Sequence, residues 1–264
     1  MGTAGDARSF LTSGSAYDTF MGRYSAPLAA LFADIGELVP GQRALDVGCG
    51  PGALTSVLAD RLGVGAVSAC DPSPPFVAEC GERNPGVDVR SGSAEALPFE
   101  SAEFDCVLAQ LVLHFVDDPA AAMREFVRVT RPRGLIGACV WDSAAGMEML
   151  TAFWDAALAV GAAVPAKGRL LRFGHPGQIA GFLDAAGLSD VREATLTVSS
   201  RYAGFAELWR GFEAGIGPAA VFCCSLPQAP REALRVALFE RLGSPDGAFT
   251  LEATARYAVG ETPG

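Results

Sequence analysis

Two acids and three glycines stand at spacings suited to holding a cofactor. In the run Arg43–Thr55, Asp46 precedes Gly48, Gly50 and Gly52, with Ala53 next, and the apolar residues on either side read as a buried strand, a tight turn and a helix start. Glycines there permit positive φ and leave no Cβ in the way, so a ligand can approach main-chain N–H groups at the mouth of the following helix. A dinucleotide fingerprint wants glycine at the first, third and sixth positions; here the sixth is Ala53, and Asp46 suits a cationic ligand better than a pyrophosphate. About twenty residues further on, at the end of the next apolar run, Asp71 is placed to accept hydrogen bonds from ribose hydroxyls. Its other reading is a cap for the helix beginning at Pro74, a role open also to Ser73.

Polar residues also follow the later strands. Gln110 ends the run Phe104–Ala109, His114 comes four residues later, Asp142 follows the strand ending at Trp141, and His175 precedes Pro176. His114, Asp142 and His175 are the candidate proton acceptors. Each also has a structural reading: a packed histidine, a turn residue and a residue at a helix entrance.

These side chains need a scaffold that brings strand ends together. Short apolar strands alternate with helices: strands at Ala44–Val47, Ala66–Cys70, Val87–Arg90, Phe104–Ala109 and Leu135–Trp141, and helices at Leu54–Leu62, Pro74–Cys80 and Pro119–Val129. Alternation of this kind implies right-handed crossovers and a doubly wound α/β sheet covered on both faces. An amphipathic helix at 15–35, bent at Pro27, precedes the first strand. After Trp141 the rhythm changes to helices at Ala144–Val160, Pro176–Ala186 and Arg231–Leu242, strands at Val191–Ser199 and Phe249–Val259, and an aromatic stretch at Tyr202–Gly217. In open sheets of this class ligands bind beyond the carboxyl ends of the strands, so insertions 144–172 and 201–246 are expected to cap the cofactor and enclose a substrate.

The motif Asp46-Val47-Gly48-Cys49-Gly50-Pro51-Gly52, followed by Asp71-Pro72-Ser73 and by Ser91-Gly92-Ser93-Ala94-Glu95-Ala96-Leu97-Pro98-Phe99, resembles the class I S-adenosyl-L-methionine (SAM) methyltransferases of the small-molecule, UbiE-like type. The resemblance implies a Rossmann-like sheet of seven strands, mostly parallel with the seventh antiparallel, in one domain spanning 1–264 with a helical cap. It implies SAM as cofactor, S-adenosyl-L-homocysteine (SAH) as product, and Asp71 on the ribose. It also implies Asp46, Gly48 and Gly50 at the cofactor and Gln110 near its methionine part. The family's adenine-contacting acid is replaced by Ser93, leaving Ser93 or Glu95 for that contact, with Pro72 and Ala94 as apolar walls. Tyr17 and Arg23 match a helix that lies across SAM in small-molecule members, where Arg23 has donors suited to a carboxylate.

Composition narrows the acceptor. A net charge of −10 disfavours a nucleic-acid partner. No apolar run approaches membrane-spanning length and no secretory leader is apparent, so the expected location is cytoplasmic. The seven cysteines include no Cys-x-x-Cys and read as packed thiols; adjacent Cys223 and Cys224 cannot easily converge on one ion, and no metal is expected. The leading expectation is methyl transfer to a small, partly apolar metabolite. A SAM-binding protein without transfer activity, a methyltransferase of macromolecules and, at the level of fold, a nicotinamide enzyme stay open at this point.

Overall fold

The computed structural model describes residues 18–143, 146–164, 172–215 and 217–264. Seven strands form one sheet in the order β3-β2-β1-β4-β5-β7-β6. They are β1 (Ala44–Val47), β2 (Val67–Asp71), β3 (Asp88–Ser91), β4 (Phe104–Gln110), β5 (Thr130–Trp141), β6 (Ser189–Tyr202) and β7 (Phe249–Glu261). The first five run parallel, and β7 lies antiparallel between β5 and β6. This is the expected doubly wound, mostly parallel sheet.

Helices cover both faces. On one side α1 (Arg23–Ile35) and α2 (Ala53–Leu62) pack on the strands; on the other lie α4 (Pro119–Val129) and α6 (Gln178–Ala185), with α3 (Pro74–Arg83) beside β2 and β3. Alternation along the strands explains the division: Cys106 and Leu108 of β4 face the α1 side, while Val107 and Ala109 face the α4 side. The helix α4 has the bounds read from the sequence because its signals are strong. Asp118 accepts a hydrogen bond from the Ala121 N–H at 3.0 Å, Pro119 occupies the first turn, and Ala122, Met123, Phe126 and Val129 form the buried stripe.

Differences from the sequence reading lie at the entrance and over the top. Helix 15–35 is two pieces, a π-helical turn at Asp18–Gly22 and then α1; Pro27 lies within α1, and residues 15–17 fall outside the described part. The helix expected at Ala144–Val160 begins later, as α5 (Glu148–Ala159), because Gly146 and Met147 are held to β7: the Thr254 N–H donates to the Gly146 carbonyl at 2.9 Å, and Met147 bridges Ala253. Beyond β6 come α7 (Phe205–Glu213), α8 (Gly217–Ser225) and α9 (Gln228–Arg241). Sequence periodicity did not anticipate α8. It is apolar nearly all round, so no stripe stands out against a polar face.

The core depends on one close approach in β5. A Cβ on Gly137 would lie 2.8 Å from Leu108 Cδ2 and 2.9 Å from Val259 Cγ1, with the Phe32 ring of α1 at 3.6 Å, so glycine lets the β4 and β7 side chains close over β5 beneath α1. Gly137→Val is expected to lower unfolding free energy by about 1–3 kcal/mol through overpacking. Urea unfolding followed by circular dichroism checks this; an unchanged midpoint would show that Leu108 and Val259 give way without cost.

Candidate active site

Parallel register brings the chemistry to one edge. Asp46 pairs with Leu108 of β4, and Val47 with Cys70 of β2, so the glycine turn, Asp71 and Gln110 emerge side by side at the carboxyl ends. Asp71 pairs with Ser91 of β3, which carries Ser93 and Ala94 to the same edge. Gly48 and Gly50 have φ of +70° and +52°, in the left-handed region. A Cβ on Gly50 would meet nothing within 4 Å, so its face is open to a ligand, whereas one on Gly48 would strike Val112 Cγ2 at 2.4 Å.

Asp71 is not a helix cap here. Its Oδ2 accepts from the Gly50 N–H at 3.0 Å and its Oδ1 from the Ser73 N–H at 2.8 Å, which ties the end of β2 to the glycine turn. Burial pushes its pKa above the usual carboxylate range, and the two amide donors offset part of that rise. Asp46, 1% exposed, accepts from Thr55 Oγ1 at 2.7 Å. Its carboxyl is pushed up to about 7 by burial, against the Thr55 hydrogen bond and with a further push from Asp71. Thr55 is a site residue that sequence reasoning missed. The available signal was a hydroxyl in the first turn of the helix that follows the glycines.

Neither acid has a cationic partner among the described residues. Two buried carboxylates without a counter-charge, beside open main-chain N–H groups, fit a ligand carrying positive charge and disfavour a pyrophosphate. Gln110 adds a matching polar atom. Its Nε2 donates to the Ser25 carbonyl at 2.9 Å, which leaves Oε1 buried and without a partner. Glu95 is engaged elsewhere: Oε1 accepts from the Asp117 N–H at 3.1 Å, so of the two candidates for the adenine contact Ser93 is the less committed.

A cavity of about 270 Å³ opens beside this edge, between the ends of β4 and β5 and the helices above. Leu111, His114 and Phe115 form its floor after β4; Trp141 ends β5 and Asp142 follows it, Met147, Leu150 and Trp154 come from the α5 segment, Pro218 and Ala219 from α8, and Phe20 and Met21 from the entrance turn. Leu111 has φ of +61°, a conformation that costs a non-glycine residue about 1–3 kcal/mol. It sets the direction in which the chain leaves β4 for His114. The helices above are joined by aromatic contacts: Phe153 stacks on Phe212 at 4.2 Å, Phe20 meets Phe212 edge-on at 5.2 Å, and Trp154 lies 5.3 Å from Phe222. A Cβ on Gly211 would stand 2.7 Å from the Phe20 ring, so this glycine admits Phe20 beneath α7.

The candidate proton acceptors separate. His114 lines the cavity with Nδ1 buried and unpartnered, and burial, reinforced by the nearby Arg172 guanidinium, pulls its pKa down to about 3. Asp142 also lines the cavity, 3% exposed, but Arg256 Nη2 donates to its Oδ2 at 2.5 Å. His175 does not line it; the residue is exposed at the entrance to α6, where its main-chain N–H donates to Gln178 Oε1 at 3.1 Å. Among the described residues no cluster of three histidine, cysteine or acidic side chains is placed to hold a metal. Tyr17 lies outside the described residues. The Arg23 side chain is turned to α7, where Nη2 donates to Glu207 Oε1 at 2.6 Å and the guanidinium lies 3.9 Å over the Tyr202 ring. Tyr202 in turn shares a hydrogen bond with Tyr24 at 3.1 Å.

Comparison with known proteins settles the family. The sequence profile described as "Methyltransferase domain" matches residues 45–138. Nocamycin O-methyltransferase of Saccharothrix syringae is 37% identical over 196 residues, covering 67% of this chain and 70% of that protein. The chain belongs to the class I SAM-dependent methyltransferases. Demethylmenaquinone methyltransferase of Beutenbergia cavernae is 42% identical over 95 residues, 36% of this chain and 39% of that enzyme, so the chain spans well under half of that relative's length. The fold is shared with a Haemonchus contortus phosphoethanolamine N-methyltransferase solved with SAM, at a TM-score of 0.56 and 18% identity, covering 90% of this chain and 53% of that one. The profile spans β1 through most of β5, and the aromatic helices over the cavity lie beyond it.

The Arg23 junction is testable without a ligand. Its ion pair is part-exposed and worth about 1 kcal/mol or less, and stacking on Tyr202 adds about 0.5–1 kcal/mol. Arg23→Ala is expected to lower unfolding free energy by about 1 kcal/mol, and Arg23→Lys to recover less than half of it. Thermal melts of the three proteins decide; full recovery by lysine would remove the planar guanidinium from the account.

Proposed function

We propose that this protein transfers a methyl group from SAM to a small, partly apolar acceptor bound in the cavity between β4, β5 and α5. The observation that carries the reading is the pair of buried acids, Asp46 and Asp71, without counter-charge among the described residues, set beside the open Gly50 turn and next to a mostly apolar cavity. When bound, SAM supplies a methyl group already activated on a sulfonium sulfur. What remains for the chain is to hold, orient and exclude water.

In this reading Asp71 takes the ribose hydroxyls with the lone pairs left over from Gly50 and Ser73. Gly48 and Gly50 allow main-chain approach, Pro72 and Ala94 flank the adenine, and Ser93 is its polar contact. Asp46 offsets the charge of the methionine ammonium, and Gln110 Oε1 supplies a nearby acceptor. Residues 1–264 act as one domain, with α5 and α7 to α9 as its cap. Orienting the acceptor against the methyl group in a closed site supplies up to about 7–11 kcal/mol in well-aligned systems, so a strong base is not demanded. A cavity this small and apolar favours a metabolite over a protein or nucleic-acid chain. No described helix is long and apolar enough to cross a membrane. The free thiols of Cys49, Cys70, Cys80, Cys106, Cys139 and Cys223, all buried, support a reducing, cytoplasmic setting.

Calorimetry tests the cofactor assignment. SAH and SAM are expected to bind and NADH not to; binding of NADH alone would sink the reading. Asp71→Ala is expected to weaken SAH about 10- to 100-fold, the effect of losing charge-assisted hydrogen bonds. The pH dependence follows from Asp46. Its carboxyl, raised to about 7, is largely protonated below neutrality, while the cofactor ammonium favours the ionised form. SAH affinity should therefore fall as pH drops from 8 to 6, and Asp46→Asn should bind weakly with a flat profile. Without ligand the sign reverses: the raised carboxyl contributes stability at acid pH that is lost as pH rises toward 7.

A further inference from the structure

The cavity's charge balance narrows the acceptor further, and this step rests on the methyl-transfer reading above. Among the described residues its walls carry two carboxylates, and each already has a guanidinium partner. Asp142 is paired with Arg256 of β7, which also reaches Glu193 at 3.1 Å, and Asp155 is paired with Arg241 of α9. The third titratable group among these, His114, is half-buried, and desolvation together with the nearby Arg172 guanidinium favours its neutral form. Arg172 is itself exposed and donates to the Val116 carbonyl. Among the described residues of the walls, an ammonium acceptor would thus find no uncommitted carboxylate and a carboxylate acceptor no uncommitted cation. Either charge would be desolvated without compensation.

Shape adds a second restriction. Trp141, Trp154, Leu150 and Met147 give the cavity flat and adaptable apolar sides. Its volume of about 270 Å³ lies at or below the lower end of the ~300–1,000 Å³ usual for drug-sized ligands. We infer that the cavity selects an uncharged, planar acceptor of one or two rings that presents a hydroxyl group to the His114 imidazole. Methylation at oxygen is also what the name of the Saccharothrix syringae relative states for that enzyme.

The step balances with the groups present. The hydroxyl oxygen forms the bond to the methyl carbon as the carbon–sulfur bond breaks, and that electron pair remains on sulfur. The hydroxyl proton passes to the His114 imidazole and then to water. One positive charge leaves sulfur and one arrives on the imidazole, so the cavity's total charge does not change during transfer. A weakly basic imidazole is sufficient, because a hydroxyl oxygen accepting a methyl cation becomes strongly acidic as the bond forms. The same low basicity releases the proton afterwards.

The test uses three probes of one shape on the SAH-loaded protein: 2-naphthol, 2-naphthoate and 2-naphthylmethylammonium. Calorimetry is expected to show naphthol binding at least tenfold more tightly than either charged probe, and incubation with SAM to yield its methyl ether. Arg256→Gln removes the guanidinium from Asp142 and should shift the ammonium-to-naphthol affinity ratio at least tenfold toward the ammonium without changing SAH affinity. Arg256→Lys should keep the original order, and with the native protein it decides the question if Arg256→Gln does not fold. Equal or tighter binding of a charged probe, no binding of naphthol, or an unmoved ratio in folded Arg256→Gln each overturns the inference alone. Failure of SAH to bind overturns the methyl-transfer reading as well.

Discussion

Hydrogen bonding between β1 and its two parallel neighbours fixes the other distances in the candidate site. The glycine turn, Asp71 and Gln110 lie on three separate strands, and they come level only because Val47 pairs with Cys70 and Asp46 with Leu108. A slip of one residue would turn every side chain to the opposite face. A slip of two would keep the faces but shift Gln110 or Asp71 by roughly 6.6 Å along the strand. The register is locked from both ends of the turn. Asp71 grips Gly50 through its main chain, and Thr55 anchors Asp46 from the first turn of α2.

The cofactor half of the site was legible in the sequence because it is made of local signals. Strand, glycine turn and helix start sit within thirteen residues, and the acid at the end of β2 follows at a spacing set by one helix and its loops. The parallel order could be inferred for the same reason, since each unit repeats the same strand-to-helix pattern. Positions such as Asp46 and Gly50 have roles fixed mainly by neighbours close in the chain.

The acceptor half was not legible in the same way. Its walls come from five separate stretches, and the contacts that define it join residues far apart, such as Phe20 with Phe212 or Asp142 with Arg256. Asp142 read in sequence as a turn residue or a base; only β7, more than a hundred residues away, shows it paired and buried. Arg23 has the reverse history. The resemblance placed it against the cofactor, whereas the distant Glu207 and Tyr202 hold its guanidinium at the junction of α1 and α7. The helix α8 escaped periodicity because nearly every side of it is apolar, and Thr55 escaped because a hydroxyl in a first helical turn is commonplace.

The place of β7 in the sheet bears on when the protein can acquire its activity. This strand is made after all the others, yet it is inserted between β5 and β6 and gives β6 its only pairing in the sheet. During synthesis β1 to β5 can assemble as they emerge, with the cofactor edge complete, while Asp142 still lacks Arg256 and Met147 its bridge to Ala253. A nascent chain would therefore gain the ability to hold its cofactor well before it could hold an acceptor, and the final strand would close both the sheet and the chemistry at once.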